Sequence, residues 1–129
     1  NAERHGLTSR LRLLRGALFE PVPAANLYDV VVSNPPYIPT AEVAHLMRDV
    51  AAFEPHLALD GGTDGLRVIE RLVAGAPDRL LAGGALVLEV GADQAPAVRE
   101  RISRTAAFEP AQVLRDWAGI ERIVWAARR

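Results

Sequence analysis

Hydrophobic residues along the chain form short continuous runs and longer stretches in which apolar positions recur every three or four residues. The clearest continuous run is Tyr28–Ser33, whose three consecutive valines are typical of a strand buried on both faces. Ala85–Val90 has the same character and follows the turn-forming sequence Ala82-Gly83-Gly84. Two further runs near the C-terminus are separated by only a few residues, which predicts an antiparallel hairpin. The predicted strands are Leu11–Arg15, Tyr28–Ser33, Ala85–Val90, Ala111–Asp116 and Ile120–Ala127.

The stretches between these runs predict helices. Apolar residues recur at spacings of three and four in Ala41–Phe53 and in Leu66–Ala76, the second with Asp64 as its N-cap. A further helix is predicted over Asp93–Ala107, where Pro96 is tolerated in the first turn. Strands that alternate with helices and close on a hairpin indicate an α/β fold, with a mostly parallel sheet and an antiparallel edge.

Composition and charge narrow the class of protein. The chain has 129 residues, of which 50% are hydrophobic and 24% charged, so it can bury a core. The chain contains fifteen basic and sixteen acidic residues, and the resulting net charge of −1 argues against a broad phosphate-binding surface. The absence of cysteine excludes disulfides, a thiolate nucleophile and cysteine-ligated zinc. No apolar run reaches the roughly 18 residues that span a bilayer, so we expect a cytoplasmic domain.

The sequence Asn34-Pro35-Pro36-Tyr37 directly follows the first buried strand. In open α/β sheets, ligands bind at the carboxyl ends of the strands. A plain turn is the alternative interpretation, because Asn-Pro and Pro-Pro pairs are common in loops. Two successive prolines have no N–H groups, and the first restricts Asn34 to an extended conformation. The segment is therefore a stiff loop that presents carbonyl oxygens, one carboxamide and one aromatic ring.

These groups suit the methylation of a planar nitrogen whose lone pair is delocalised. The side-chain oxygen of Asn34 and the carbonyl of Pro35 can each accept a hydrogen bond from one N–H of an amide or amine. Holding both hydrogens aims the nitrogen at an incoming methyl group and stabilises the positive charge that develops on it. Tyr37 can stack on the planar group. No strong general base is needed, because the proton can leave after the methyl group arrives.

The segment Tyr28-Asp-Val-Val-Val-Ser-Asn-Pro-Pro-Tyr-Ile-Pro39 resembles motif IV of class I S-adenosylmethionine-dependent amino-methyltransferases. A longer set of segments resembles one family within that class, the release-factor glutamine methyltransferases, in order and spacing. The set is Phe53-Glu-Pro-His-Leu-Ala-Leu-Asp-Gly-Gly-Thr-Asp-Gly-Leu66, Leu86-Val-Leu-Glu-Val-Gly91 with Gln94, and Asp116-Trp-Ala-Gly-Ile-Glu-Arg122. The resemblance implies a Rossmann-like class I sheet, S-adenosyl-L-methionine as cofactor, and a peptide chain release factor as protein substrate. The methylated group is the glutamine of the Gly-Gly-Gln motif.

The resemblance also implies roles for individual residues. Asn34 and the Pro35 carbonyl would hold the substrate amide and act as the catalytic groups, and Pro36 and Tyr37 would complete the substrate pocket. Asn34 would also border the cofactor, and Phe19 matches an aromatic residue near the adenine. The family has Gly-Asp before that aromatic, whereas this chain has Ala17, which cannot accept a hydrogen bond from the adenine amine.

The family's first strand and its Gly-rich turn have no counterpart here, nor does the acidic residue that ends its second strand. Asn1–Leu7 resembles the end of the helix after that second strand. Residues 1–129 are therefore interpreted as the C-terminal part of a single methyltransferase domain that lacks the first two strands. The missing strands would leave one edge of Tyr28–Ser33 bare, so we expect the isolated chain to rearrange, to self-associate through that edge, or to hold its first 25 or so residues loosely.

Two other functions stay open at this point. A nucleic-acid adenine or guanine amino-methyltransferase shares the Asn-Pro-Pro-Tyr loop, although the balanced charge makes nucleic acid the weaker substrate class. The chain by itself is also interpreted as a catalytically inert fragment. No metal site is predicted, because Asp60–Gly65 resembles a calcium loop only until Arg71 occupies the position of the bidentate glutamate, and the three histidines lack ligand spacing.

Two further side chains have more than one interpretation. Glu89, at the ligand edge of a buried strand, either lines the site or is a structural carboxylate. Glu54 is interpreted as structural, with substrate contact as the alternative. Trp117 and Trp125 are predicted to lie in the core.

Overall fold

The structure, a computed structural model, describes residues 1–45 and 54–129 of the chain. Residues 1–27 contain turns but no helix or strand. The elements that follow are β1 (Tyr28–Ser33), α1 (Thr40–Val43), α2 (His56–Leu59), α3 (Arg67–Gly75), a 3-10 helix (Ala76–Arg79), β2 (Leu80–Glu89), α4 (Ala95–Arg104), β3 (Gln112–Arg115) and β4 (Glu121–Ala127).

The four strands form one sheet in the order β1-β2-β4-β3. β1 pairs with β2 in parallel, and its last residue, Ser33, lies opposite Leu88. β2 pairs with β4 antiparallel, and β4 pairs with β3 antiparallel. The α/β fold and the C-terminal hairpin are therefore confirmed.

One face of the sheet carries the core. Leu86 and Leu88 of β2 and Val124 of β4 are fully buried on that face, under helices α3 and α4. Alternate strand residues point to the opposite face, where Val87 and Trp125 are only half-buried. The positions of these strands are confirmed, but burial on both faces is wrong, because β2 is buried on one face only and β1 has no fully buried residue.

The strand predicted at Leu11–Arg15 is wrong. None of these five residues is in a strand, and Leu13 is 79% exposed. A strand needs a hydrogen-bonded neighbour, and these residues have none among the described strands. The sheet of the described residues is consequently mixed rather than mostly parallel, because only the β1–β2 pair is parallel.

The helices α3 and α4 confirm two predicted helices, with shorter ends. Asp64 does not cap α3 in the expected way, because its carboxylate accepts a hydrogen bond from the N–H of Leu66 at 3.0 Å, one residue before the helix begins. Helix α1 covers only the beginning of the predicted Ala41–Phe53 helix. Residues 46–53 of that prediction lie outside the described residues. Within residues 1–45 and 54–129, no helix is long and apolar enough to cross a membrane.

β1 forms one edge of the sheet and exposes apolar side chains there. Val30 is 50% exposed and Val32 is 72% exposed. An unpaired apolar strand edge is a ready template for pairing with another chain.

We therefore expect the isolated chain to self-associate through β1. Val32→Lys should shift it towards the monomer, because a charge on an edge strand opposes pairing. Light scattering coupled to gel filtration measures the molar mass, and hence the oligomeric state, over a range of protein concentrations. Leu114→Lys, on the opposite edge strand β3, is the matched control. Dissociation by the control alone would place the contact at β3, and a wild-type monomer at every concentration would rule out association.

Candidate active site

The loop that carries Asn34 leaves the sheet at the carboxyl ends of β1 and β2, as the sequence predicted. Asn34 itself is exposed, Pro35 is buried, and Tyr37 is half-buried. A buried proline next to an exposed carboxamide fixes the backbone while leaving the side chain of Asn34 accessible to a substrate.

The second half of this loop is joined to the Gly-rich segment Asp60–Gly65. The N–H of Ile38 donates to the carbonyl of Leu59 at 3.1 Å, and the carbonyl of Ile38 accepts from the N–H of Gly61 at 2.8 Å. These bonds form a short parallel bridge between two segments that are more than twenty residues apart in the chain. The Gly-rich segment is thus fixed to the loop that carries Asn34.

Asp60 organises the turn at the start of that segment. Its Oδ1 accepts hydrogen bonds from the hydroxyl of Thr40 at 2.7 Å and from the N–H of Gly62 at 2.8 Å. The guanidinium of Arg67 lies 3.5 Å from its Oδ2. The hydroxyl of Thr40, the N–H of Gly62 and the charge of Arg67 together lower the pKa of Asp60 from its ordinary value of 3.8, and partial desolvation opposes them.

The lowered pKa of Asp60 predicts a pH-dependent contribution to folding. Because the folded form binds this proton less tightly than the unfolded form, the ionised carboxylate stabilises the fold above pH 3.8, and that stabilisation is lost as the pH falls through the lowered pKa. Asp60→Asn should therefore lower the thermal midpoint near neutral pH, with a deficit that shrinks in acid. Asp29→Asn, at an exposed position of β1, gives the background for losing one carboxylate. A deficit that stayed constant down to low pH would contradict the assignment.

Gln94 connects three segments around the site. Its side-chain Nε2 donates to the carbonyl of Tyr37 at 2.8 Å, and its Oε1 accepts from the N–H of Gly91 at 2.9 Å. The carbonyl of Asp64 lies 3.5 Å from the same Nε2. One carboxamide thus holds the Asn34 loop, the segment after β2 and the segment before α3.

Gly65 lies so close to this contact that no side chain fits. A Cβ on Gly65 would be 2.2 Å from the carbonyl oxygen of Tyr37 and 2.5 Å from Nε2 of Gln94. Its φ of +74° is also in the left-handed region that favours glycine. The loop can approach the Gly-rich segment only because residue 65 is a glycine.

Tyr37 separates two cavities at this edge of the sheet. One, of about 320 Å³, is lined by Asn34, Pro35 and Glu54. The other, of about 400 Å³, is lined by Gln94 and by four charged residues. Those charged residues are Glu42, Asp64, Asp93 and Arg122. The structure therefore brings Asn34, Pro35 and Tyr37 together around a cavity.

Phe19 lies in a third hollow, of about 340 Å³, beside β1. Val31, Ser33 and Leu72 line the same hollow. The ring lies against Gly75, where an added Cβ would be 2.8 Å from it. Phe19 is thus near β1, which ends one residue before Asn34, but it does not share the cavity of Asn34.

The two ambiguous side chains are now placed. Glu54 is exposed and lines the cavity of Asn34, so it is available for substrate contact. Glu89 is half-buried at the end of β2, opposite Ile123, and lines neither cavity beside Tyr37.

Trp117 is not in the core, contrary to the prediction. It is fully exposed at the β3–β4 turn, and Trp125, also predicted in the core, is half-buried on the opposite face of the sheet. The turn is instead held by Asp116, whose carboxylate accepts from the N–H groups of Ala118 at 2.8 Å and Ile120 at 3.0 Å. The bond from Ile120 is the largest of the effects that lower the pKa of Asp116. Because hydrogen bonds satisfy this turn, the indole is not needed to hold it.

Sequence reasoning gave no role to Gln94, Gly65 or Asp60. Each acts through contacts with distant parts of the chain, which spacing alone does not reveal. Asp60 and Asp64 each accept a hydrogen bond from the backbone N–H two residues further on, which holds the Gly-rich segment in tight turns. Among the described residues, no group of three or more acidic or histidine side chains is arranged to hold a metal ion.

Comparison with known proteins identifies relatives of the chain. No protein-family model matches it. It is 49% identical over 124 residues to a protein named release factor glutamine methyltransferase from Gloeobacter violaceus, covering 96% of this chain and 43% of that protein. It is 46% identical over 129 residues to the protein of the same name from Moorella thermoacetica, covering 100% of this chain and 45% of that protein. The chain thus spans less than half the length of the curated relatives it matches.

Solved structures show the same fold. A protein-(glutamine-N5) methyltransferase (release factor-specific) from Alicyclobacillus acidocaldarius superposes with a TM-score of 0.51 at 28% identity, over 80% of this chain and 50% of that one. A methyltransferase from Pyrococcus furiosus superposes with a TM-score of 0.65 over 99% of this chain and 53% of that one. At 20% identity, the second match bears on the fold alone. The mixed sheet is therefore part of a Rossmann-like methyltransferase fold.

Proposed function

We propose that residues 1–129 are the C-terminal part of one catalytic domain that methylates a glutamine side chain. The chain belongs to the release factor glutamine methyltransferase family. The substrate is the glutamine of the Gly-Gly-Gln motif in a peptide chain release factor, and the site of action is the cytoplasm. The observation that carries the proposal is the exposed carboxamide of Asn34 beside buried Pro35, at the mouth of a cavity on the carboxyl edge of the sheet.

Asn34 and Pro35 bind and orient the substrate amide. The side-chain oxygen of Asn34 and the carbonyl of Pro35 each accept one N–H of the glutamine carboxamide, which turns the nitrogen towards the methyl donor. As the new C–N bond forms, positive charge develops on the nitrogen, and both oxygens stabilise it. The surplus proton then leaves the nitrogen for solvent. Pro36 and Tyr37 complete the pocket, and the ring of Tyr37 limits the space for the planar amide.

The methyl group is supplied by S-adenosyl-L-methionine, which carries it on an electrophilic sulfonium sulfur. The hollow around Phe19 could take an adenine ring, because most of its lining is apolar and includes the aromatic rings of Phe19 and Tyr28. Arg79 and Ser33 also line it, and none of its described lining residues carries a carboxylate. Asn34 and Phe19 are accordingly the residues of this chain that would border the cofactor.

Label transfer from S-adenosyl-L-methionine tests the proposal. The protein used is the chain extended at its N-terminus by the residues encoded upstream of Asn1, here called the extended protein. The chain alone is the comparison. We expect label on a release factor with the extended protein, and little or none with the chain alone. Label on DNA or ribosomal RNA instead would support the nucleic-acid alternative and overturn the proposal. Full activity of the chain alone would refute the interpretation that it is an inert fragment.

A further inference from the structure

We propose that Gln94 is a positioning residue for methyl transfer, which fixes the Asn34-Pro35 acceptors by holding the carbonyl of Tyr37. The inference rests on the proposed function. Gln94 touches neither Asn34 nor Pro35 in the hydrogen bonds described, so its effect on the substrate amide is transmitted through the loop backbone.

The loop depends on an outside donor for its position. Pro35 and Pro36 have no N–H groups, so this part of the chain cannot be anchored by its own backbone donors. The carbonyl of Tyr37 is held by Nε2 of Gln94 at 2.8 Å, two residues beyond Pro35. The next anchors along the loop are the two bonds of Ile38 to the Gly-rich segment.

The orientation of the Gln94 carboxamide is specified by the backbone. The N–H of Gly91 is a donor, so the carboxamide oxygen, and not the NH₂ group, must face it. The NH₂ group therefore points at the carbonyl of Tyr37. The surroundings leave the side chain little freedom, because a Cβ on Gly91 would be 2.9 Å from Oε1 and a Cβ on Gly65 would be 2.5 Å from Nε2. Gly65 and Gly91 therefore pack closely against the carboxamide of Gln94 and restrict its rotation.

A displaced loop would affect catalysis more than folding. Misplacing reacting groups by about 1 Å can lower a rate on the order of 100-fold. The net contribution of one neutral hydrogen bond to stability is only about 1 kcal/mol. A positioning role therefore predicts a large fall in rate with a small change in stability.

Gln94→Glu in the extended protein tests the donor specifically. The substituted carboxylate has the same shape and still accepts from Gly91, but when ionised it faces the carbonyl of Tyr37 without a proton to donate. We expect the rate of release-factor methylation to fall about 10- to 100-fold at mildly alkaline pH. The ratio of its rate to the wild-type rate should recover in mild acid, because a protonated carboxyl donates again.

The charges around this position determine where the recovery occurs. Glu42, Asp64 and Asp93 line the same cavity and raise the pKa of a glutamate at position 94, and Arg122 acts in the opposite sense. Asp64 is also paired with Arg101, at 3.2 Å, which reduces its influence. The carbonyl of Tyr37 raises the pKa as well, because it can accept a hydrogen bond only from the protonated form. The N–H of Gly91 and the N-terminus of α4, in contrast, favour the ionised form and lower the pKa.

Two comparisons keep this test decisive. Gln112→Glu, at an exposed position of β3, is the same chemical change away from the site and should leave the rate unchanged at every pH. Gln94→Met removes both hydrogen bonds and should show no recovery in acid. Amide exchange at Gly91 should stay slow in Gln94→Glu and become faster in Gln94→Met, a readout that does not depend on activity.

The outcomes distinguish the positioning role of Gln94 from the proposed methylation of a release factor. If wild type methylates the release factor but Gln94→Glu matches it at all pH values, the positioning role is overturned and the function stands. A uniform loss of rate in Gln94→Glu, with no recovery in acid, also contradicts the role of the donor. If wild type transfers no label to the release factor, the proposed function itself fails.

Discussion

Gly65→Ala is expected to destabilise the chain by about 2–4 kcal/mol and to lower methyl transfer by the extended protein at least about 100-fold. Two effects add. An alanine at φ +74° is strained, and its Cβ would lie 2.2 Å from the carbonyl oxygen of Tyr37, closer than any contact allows. Either the loop or the Gly-rich segment must move, and movement of the loop displaces the cavity-lining residues Asn34 and Pro35. Thermal or urea unfolding of the chain measures the first effect, and label transfer measures the second.

Gly83→Ala separates backbone strain from the close approach. Gly83 has a φ of +78°, nearly the same as Gly65, but nothing lies within 4 Å of a Cβ placed there. Its alanine variant should lose only about 1 kcal/mol and should retain methyl transfer in the extended protein. Equal losses of stability in the two variants would show that the contact with Tyr37 carries no weight.

Asn34→Ala is expected to lower kcat by about 100- to 1000-fold, because it removes one of the two acceptors that stabilise the transition state. The effect on stability should be within about 0.5 kcal/mol, since surface substitutions rarely cost more and the side chain is exposed. Asn34→Asp retains an acceptor oxygen and should keep more activity than the alanine variant. Steady-state methylation of the release factor by the extended protein measures both.

Asn26→Ala is the matched control for this substitution, because Asn26 precedes β1 and lines none of the three cavities around the site. It should leave kcat unchanged. If Asn34→Ala retained the wild-type rate, the acceptor role of Asn34 would be wrong. If the aspartate variant were as slow as the alanine variant, hydrogen-bond acceptance would not be what position 34 contributes.

Local pattern was sufficient to place the strands, although not to predict their burial. Tyr28–Ser33 and Ala85–Val90 were identified from continuous apolar runs, and the hairpin because its strands are close in sequence. However, β1 lies at the edge of the sheet and exposes two of its three valines. The strand predicted at Leu11–Arg15 failed because strand formation depends on a neighbour that the pattern cannot supply. The prediction for Trp117 failed for a related reason. The hydrophobic character of a residue in a turn does not show whether the rest of the fold covers its side chain.

The position of the candidate site was also predictable, although its construction was not. A motif that directly follows a strand lies at the carboxyl end of that strand, and Asn34 does. The contact between Gln94 and Tyr37 spans 57 residues of sequence. It depends on two glycines that bring the segments together, and such close approaches become visible only in three dimensions.

The most direct test of the central claim is mass spectrometry of a release factor after incubation with the extended protein and S-adenosyl-L-methionine. The account predicts one added methyl group, on the side-chain nitrogen of the glutamine in Gly-Gly-Gln, and its loss in Asn34→Ala. A methyl group on another residue would contradict the account, as would an unmodified release factor alongside a methylated nucleic acid.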